Sequence, residues 1–147
     1  MLLSRSCEYA LQAVIYLAAK TKDTPIFQQN ISRALNIPPH FLGKILQVLT
    51  HHQIVTSRKG KKGGFLLAKP SEAIYLYDII KVIDGPNFLD RCVLGFPGCS
   101  DTSPCPVHIE WIKAKKIIID MLSNRTIEEL SRSIDIKLNF IESLSQG

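Results

Sequence analysis

Three of the chain's four cysteines fall within one stretch, Cys92 to His108. Six residues separate Cys92 from Cys99, five separate Cys99 from Cys105, and two separate Cys105 from His108. Gly95, Pro97, Gly98, Pro104 and Pro106 interrupt this stretch. Backbone so punctuated forms neither a strand nor a helix, so its soft thiolates can turn toward one point. The pattern fits a single metal centre. An odd ligand set in a chain without a secretory signal disfavours a disulfide framework. Zinc accepts three cysteines and a histidine, but its structural sites usually draw on pairs roughly two to four residues apart. Wider gaps suit a larger centre such as an iron–sulfur cluster, which thiolates hold and to which histidine is an alternative ligand. Spacing alone places a cluster modestly ahead of zinc and leaves both open.

The rest of the chain must position this loop. At 147 residues and 46% hydrophobic content it has room for one core and an appendage. No segment reads as a membrane span or a cleaved signal, so a cytoplasmic location is expected. The net charge of +5 favours a polyanionic partner, provided the cations are concentrated.

They are concentrated, at a hairpin. Residues 54–57 and 65–68 have strand character, and between them lie Arg58, Lys59, Lys61 and Lys62 with Gly60, Gly63 and Gly64. Glycine lets such a tip turn and approach another backbone closely, and the cations suit phosphates. Four cations in so short a stretch repel one another unless a polyanion is near. Just before the hairpin, Phe27, Ile31, Ala34 and Leu35 predict a short amphipathic helix. A turn over residues 36–39 leads to a second helix, from about Pro39 to His51, whose expected buried face is Phe41, Leu42, Ile45, Leu46 and Leu49. Its other face carries His40, Lys44, Gln47 and His51, donors without an acid, with a gap at Gly43. That is what a major-groove reader requires. Two short helices joined by a tight turn and followed by a basic hairpin make a winged helix-turn-helix.

The remaining helices frame this unit. Residues 4–20 predict a first helix apolar nearly all round, which implies burial on several sides and a dimer contact as well as a core contact. Cys7 and Glu8 sit in its first turn, most simply as a small core residue and a favourable charge near a helix N-terminus. Residues 74–84 predict a helix stopped by Gly85 and Pro86. Pro106 is expected to open a long helix on which Val107, Trp111, Ala114, Ile118 and Met121 form a heptad-like seam suited to pairing with a second copy. Thr126 caps a following turn, and the serine-rich end reads as a tail of uncertain order. The expected fold is mostly α: a winged helix-turn-helix with a two-stranded β-wing and a long C-terminal dimerisation helix. The DNA-binding unit spans 1–84, the cysteine-rich loop 85–108, the dimerisation helix and following turn 106–130, and the tail 131–147.

The sequence resembles the Rrf2 family of bacterial winged-helix transcription regulators, whose members include cluster-sensing and nitric-oxide-sensing repressors. The likeness covers roughly residues 1–130. Its marks are Glu8, Tyr9, Ala10 and Leu11 on the first helix; Ile37 and Pro38 ahead of Leu42, Lys44, Ile45, Leu46 and Leu49; and Gly60 with Gly63, Gly64, Phe65, Leu66 and Leu67 in the wing. Asp78, Ile79 and Ile80, then Asp84 and Gly85, and the three-cysteine loop complete the set. The resemblance implies a homodimer on double-stranded operator DNA, with a two-iron or four-iron cluster held by Cys92, Cys99 and Cys105. For the fourth ligand it offers two residues: His108, or Glu8 of the other subunit. His108 is favoured because it lies one turn from Cys105 at a helix start, where the dipole suits an anionic centre. The chain departs from the family's pattern in a longer first cysteine gap and in Lys59, where arginine is common.

The expected function is therefore a homodimeric, sequence-specific regulator whose DNA affinity follows its cluster, with His40, Lys44, Gln47, Arg58, Lys59, Lys61 and Lys62 on the DNA. The alternatives are an electron-carrying or scaffold iron–sulfur protein, against which the wing cations argue, and a regulator using zinc or thiol oxidation. No phosphate-binding glycine motif precedes a helix and no nucleophile–base pair is recognisable, so an enzyme is not expected.

Overall fold

The computed structural model describes residues 2–20 and 23–147. Helix α1 (Arg5–Lys20) is its spine, burying Cys7, Ala10, Ala13, Val14, Tyr16 and Leu17. The small side chains at Ala10 and Ala13 let neighbouring backbones come close, and α1 touches elements on several sides, as its apolar circumference predicts.

Helix α2 (Gln28–Leu35) ends where Asn36 turns left-handed at φ 54°, a conformation asparagine tolerates, and the Ile37 N–H bonds back to the Ser32 carbonyl at 3.0 Å. Helix α3 (Pro39–His51) follows with proline at its first position, where no N–H is needed. Its core face is Leu42, Ile45, Leu46 and Leu49. Phe41, expected on that face, is instead 48% exposed and lies against the His40 ring at 4.3 Å. The cause is angular: at about 100° per residue, position 41 lies on the flank of the 42/45/46/49 arc, about 90° from its centre, where the ring is only half covered.

Strands β1 (Val55–Arg58) and β2 (Gly64–Leu67) pair antiparallel with Val55 opposite Leu67 and Arg58 opposite Gly64. Phe65 also exchanges both backbone hydrogen bonds with Ile26, at 2.9 and 2.8 Å, which fastens the wing to the segment entering α2. Glycine is required at position 64: φ is +132°, and a Cβ there would lie 2.5 Å from the Ile26 backbone.

After a 3-10 turn at Ser71–Ala73, helix α4 (Leu76–Ile83) starts with the Asp78 carboxylate accepting the Tyr75 N–H at 3.0 Å. A long loop leads to α5 (His108–Ser123), which begins two residues later than Pro106. Of the expected seam, Ile118 packs within the chain beside Leu122, against Cys7 and Ile80, while Met121 is exposed. Thr126 does cap α6 (Ile127–Ser131), its hydroxyl accepting the Glu129 N–H at 3.2 Å. The Ile127 N–H bonds to the Ile74 carbonyl at 2.8 Å and the Leu76 N–H to the Arg125 carbonyl at 3.1 Å, tying the segment between α5 and α6 to the start of α4.

The serine-rich end, expected as a tail of uncertain order, is helical over much of its length. Residues Asp135–Ser145 form α7, which buries Leu138 in the main core and packs on α2. Ile134, Leu138 and Ile141 are spaced as one helical stripe, and burial of that stripe outweighs the polar composition.

Candidate metal centre and nucleic-acid interface

The loop between α4 and α5 is anchored before its cysteines begin. Leu89 is buried, Phe88 lies against Tyr77, and the Trp111 indole N–H on α5 donates to the Arg91 carbonyl at 3.2 Å. Cys92 then opens a turn closed by the Gly95 N–H on its carbonyl at 2.9 Å, with Gly95 at φ 82° and Gly98 at φ 65°. A second turn, in which Ser100 and Ser103 exchange backbone bonds at 3.2 and 3.0 Å, carries the chain from Cys99 to Cys105. These reversals bring the sulfurs of Cys92, Cys99 and Cys105 within 4.8 Å of one another. The Cys92 and Cys105 sulfurs are 3.6 Å apart, and all four cysteines are free thiols.

The three thiols are not equivalent. Burial opposes ionisation of Cys92, but hydrogen bonds from the backbone N–H groups of Phe96 and Leu94, with smaller help from Cys105 and Cys99, outweigh it and bring its pKa down to about 7. Cys105 is raised, chiefly by burial, with Cys92 and Cys99 adding to that against a favourable Val107 N–H. A cluster of half-buried thiols whose first member ionises readily is a donor set for a soft cation or an iron–sulfur centre.

Of the two residues expected as fourth ligand, His108 is the one placed beside the thiols in the same chain. Its Nδ1 lies 3.2 Å from the Cys99 sulfur and its Nε2 2.9 Å from Asp101 Oδ1. Asp101 orients the ring as an outer carboxylate orients a metal-binding imidazole. The sequence held no signal for it: an aspartate seven residues ahead of a histidine in a loop has no distinctive spacing. Glu8 accepts from Arg5 at 3.0 Å in its own chain and lies outside the thiol group. Cys7 is fully buried and belongs to the core with Ile80 and Leu122, as a first-turn cysteine most simply does.

Helix α3 exposes His40, Lys44 and Gln47, and Gly43 sits half-buried one turn ahead of Gln47. Arg58, Lys59, Lys61 and Lys62 are all exposed around the wing tip. Arg58 reaches back to the Asp23 carbonyl at 3.5 Å. None of the described residues forms an ion pair with Lys59, Lys61 or Lys62, so their charge faces outward uncompensated. No described helix is long and apolar enough to cross a membrane.

Comparison with known proteins agrees with this arrangement. The family model of Rrf2, described as an iron-dependent transcriptional regulator, matches residues 3–133. A chain of Aquifex aeolicus named as an HTH-type transcriptional regulator is 35% identical over 132 residues, covering 88% of this chain and 91% of its own. The HTH-type transcriptional regulator IscR of Yersinia pestis is 30% identical over 136 residues, covering 92% and 82%. Among solved structures, CymR, the global cysteine regulator of B. subtilis, superposes with a TM-score of 0.75 at 26% identity, covering 90% of this chain and 98% of its own. These relatives are transcription regulators and not enzymes. The winged helix-turn-helix, its basic wing and the matched span together make this chain a member of the Rrf2 family of DNA-binding transcription regulators.

Proposed function

We propose that two copies of this chain bind one operator, and that an iron–sulfur cluster held by Cys92, Cys99, Cys105 and His108 sets their affinity for it. The convergence of three thiols within 4.8 Å carries this reading. The donor set fits the group: the sulfurs surround one point, backbone N–H groups favour a thiolate at Cys92, and the His108 imidazole already faces Cys99. A bound cluster supplies a tie between the sulfurs that depends on iron supply and oxidation state.

The rest is the work of this chain's residues. His40, Lys44 and Gln47 present hydrogen-bond groups to base edges from α3, and Arg58, Lys59, Lys61 and Lys62 meet phosphates or the flanking minor groove. Trp111 joins the loop to α5 through the Arg91 carbonyl, so the arrangement of the sulfurs and the position of α5 are mechanically linked. Control of this kind requires different DNA affinities in the two states of the loop.

The test has two parts. Protein purified without oxygen should contain iron and acid-labile sulfide in matching amounts and be coloured. Its affinity for a selected operator, at fixed salt, should change when the cluster is removed. Zinc in place of iron after attempted reconstitution would turn the loop into a structural or thiol-based element. Equal affinity of the two forms would remove the switch.

A further inference from the structure

The gap at Gly43 is filled from another helix. Gln28, the first residue of α2, extends its side chain across to α3 and donates from Nε2 to the Pro39 carbonyl at 2.8 Å. A Cβ built on Gly43 would lie 2.9 Å from that same Nε2. Residues 39, 43 and 47 succeed one another along a single ridge of α3, one turn apart. The Gln28 amide therefore occupies the place on the ridge that a side chain at 43 would take, one turn before the exposed Gln47 and close in angle to His40. Glycine at 43 is what leaves the Pro39 carbonyl open to it.

The partner fixes the orientation of the amide. A carbonyl only accepts, so the nitrogen must face Pro39. A primary amide that gives Pro39 the N–H turned away from its own oxygen keeps the N–H that lies beside the oxygen, and the oxygen itself. That remaining pair, one donor beside one acceptor, is what binds adenine N7 and N6 together in the major groove.

We propose that Gln28, working from α2 through the space left by Gly43, is a specificity-determining residue that reads an A·T pair in each half-site. This rests on the reading above that α3 enters the major groove.

Selection from a randomised duplex pool with the full-length protein, at one salt concentration, tests it. The wild type should show an adenine preference that Gln28→Ala abolishes at that one symmetric position while leaving the rest of the motif. The expected discrimination lost is about 5- to 150-fold, the range for a bidentate base contact. Gly43→Ala should displace the flexible amide and erase the same preference, and should add nothing further in the Gln28→Ala background. A Gln28→Ala protein with an unchanged motif, or one weakened equally on all sequences, would overturn the inference. Lys44→Ala and Gln47→Ala run alongside separate the two failures. If they alter the motif and Gln28→Ala does not, only Gln28 is wrongly assigned; if none alters it, α3 is not the reading helix.

Discussion

Replacing both Lys61 and Lys62 by alanine should change the salt dependence of DNA binding more than it changes the protein. Both side chains are exposed at the tip, beyond the last paired residues of the wing, Arg58 and Gly64. The turn itself is held by the Gly63 N–H on the Gly60 carbonyl at 3.0 Å, with Gly60 at φ 104°. Alanine at 61 and 62 touches neither feature, so the fold should be unaffected. Each lysine that neutralises a phosphate contributes about 0.9 to the slope of log affinity against log salt. Two lysines on each of two wings make the expected fall in slope about 3.6. Between roughly 50 and 200 mM salt, the double variant should then lose about 150-fold less affinity than the wild type loses. A fluorescence-anisotropy titration of labelled operator and of an unrelated duplex at several salt concentrations measures it, and both DNAs should respond alike because phosphates carry no sequence. A fall near 1.8 would mean that only one wing is engaged. An unchanged slope, or a loss confined to the operator, would refute the assignment of the wing to the DNA backbone.

Three further outcomes follow from particular contacts. Burial, then the charge of Asp84 and a hydrogen bond to it, with Glu8 contributing least, push the Cys7 thiol from 9.0 up to about 12. The folded state thus keeps a proton that the unfolded state loses. The stability Cys7 contributes is whole below about pH 9 and declines by about 1.4 kcal/mol per pH unit as the pH rises toward 12. Urea unfolding at pH 8 and above 10 should show this decline in the wild type and a shallower one in Cys7→Ala; identical slopes would sink it. Leu138→Ala should cost about 2–5 kcal/mol of α7 docking. Hydrogen exchange should then quicken in Asp135–Ser145 and not in α3, and equal quickening in both would mean that α7 is part of the central cooperative unit. His108→Ala should lower metal affinity by at least about tenfold, since loss of even an outer partner of a ligand does that much. Glu8→Ala should leave iron and sulfide per chain unchanged, and the reverse ranking would move the fourth ligand to α1.

The sequence showed the helix-turn-helix and wing more fully than the elements around them, for physical reasons. Helix α3 was delimited to the residue because Pro39 marks its first turn and the polar residues after its last apolar position mark its end. The wing was legible because glycines and cations are concentrated nowhere else. Phe41 differs because its residue type favours burial while its position lies on the flank of the core arc. α7 was hidden by serines that lower mean hydropathy without disturbing the one stripe that matters. On α5 the seam reading missed Leu122, the helix's one fully packed side chain, because a heptad count follows period and is blind to which neighbour is present. The three cysteines were recognisable as candidate ligands from type and spacing, and the glycines and prolines among them allowed convergence, whereas how closely the sulfurs approach follows from the left-handed φ at Gly95 and Gly98, a value the residue type permits but does not specify. The contact of Gln28 with α3 was not legible in the sequence, since it depends on the side chain that Gly43 lacks.

In the proposed switch, a change at the thiols reaches α3 and the wing through the helices that meet beside the loop. Cys7 of α1, Ile80 of α4 and Leu122 of α5 form one small cluster, and α1 carries Ala10, Val14 and Leu17 from there into the core shared with α3 and the wing. One polar latch joins the two ends of this route. The Ser4 N–H donates to Asp84 Oδ2 at 2.8 Å and its hydroxyl donates to Oδ1, linking the start of α1 to the end of α4, where the ligand loop departs. Ser4→Ala removes the hydroxyl, and with it the cap that accepts the Cys7 N–H at 3.1 Å at a cost of about 1 kcal/mol, and leaves the exposed backbone bond and the apolar cluster in place. The variant should therefore remain folded and bind DNA. The ratio of operator affinities between metal-loaded and metal-free protein should move toward one, by about 2- to 30-fold if this latch carries coupling of ordinary size. Anisotropy titrations of both forms, at the same salt, give that ratio directly. Should it match the wild type, the route through the start of α1 is wrong, and the path through Trp111 and the Arg91 carbonyl becomes the one to break next.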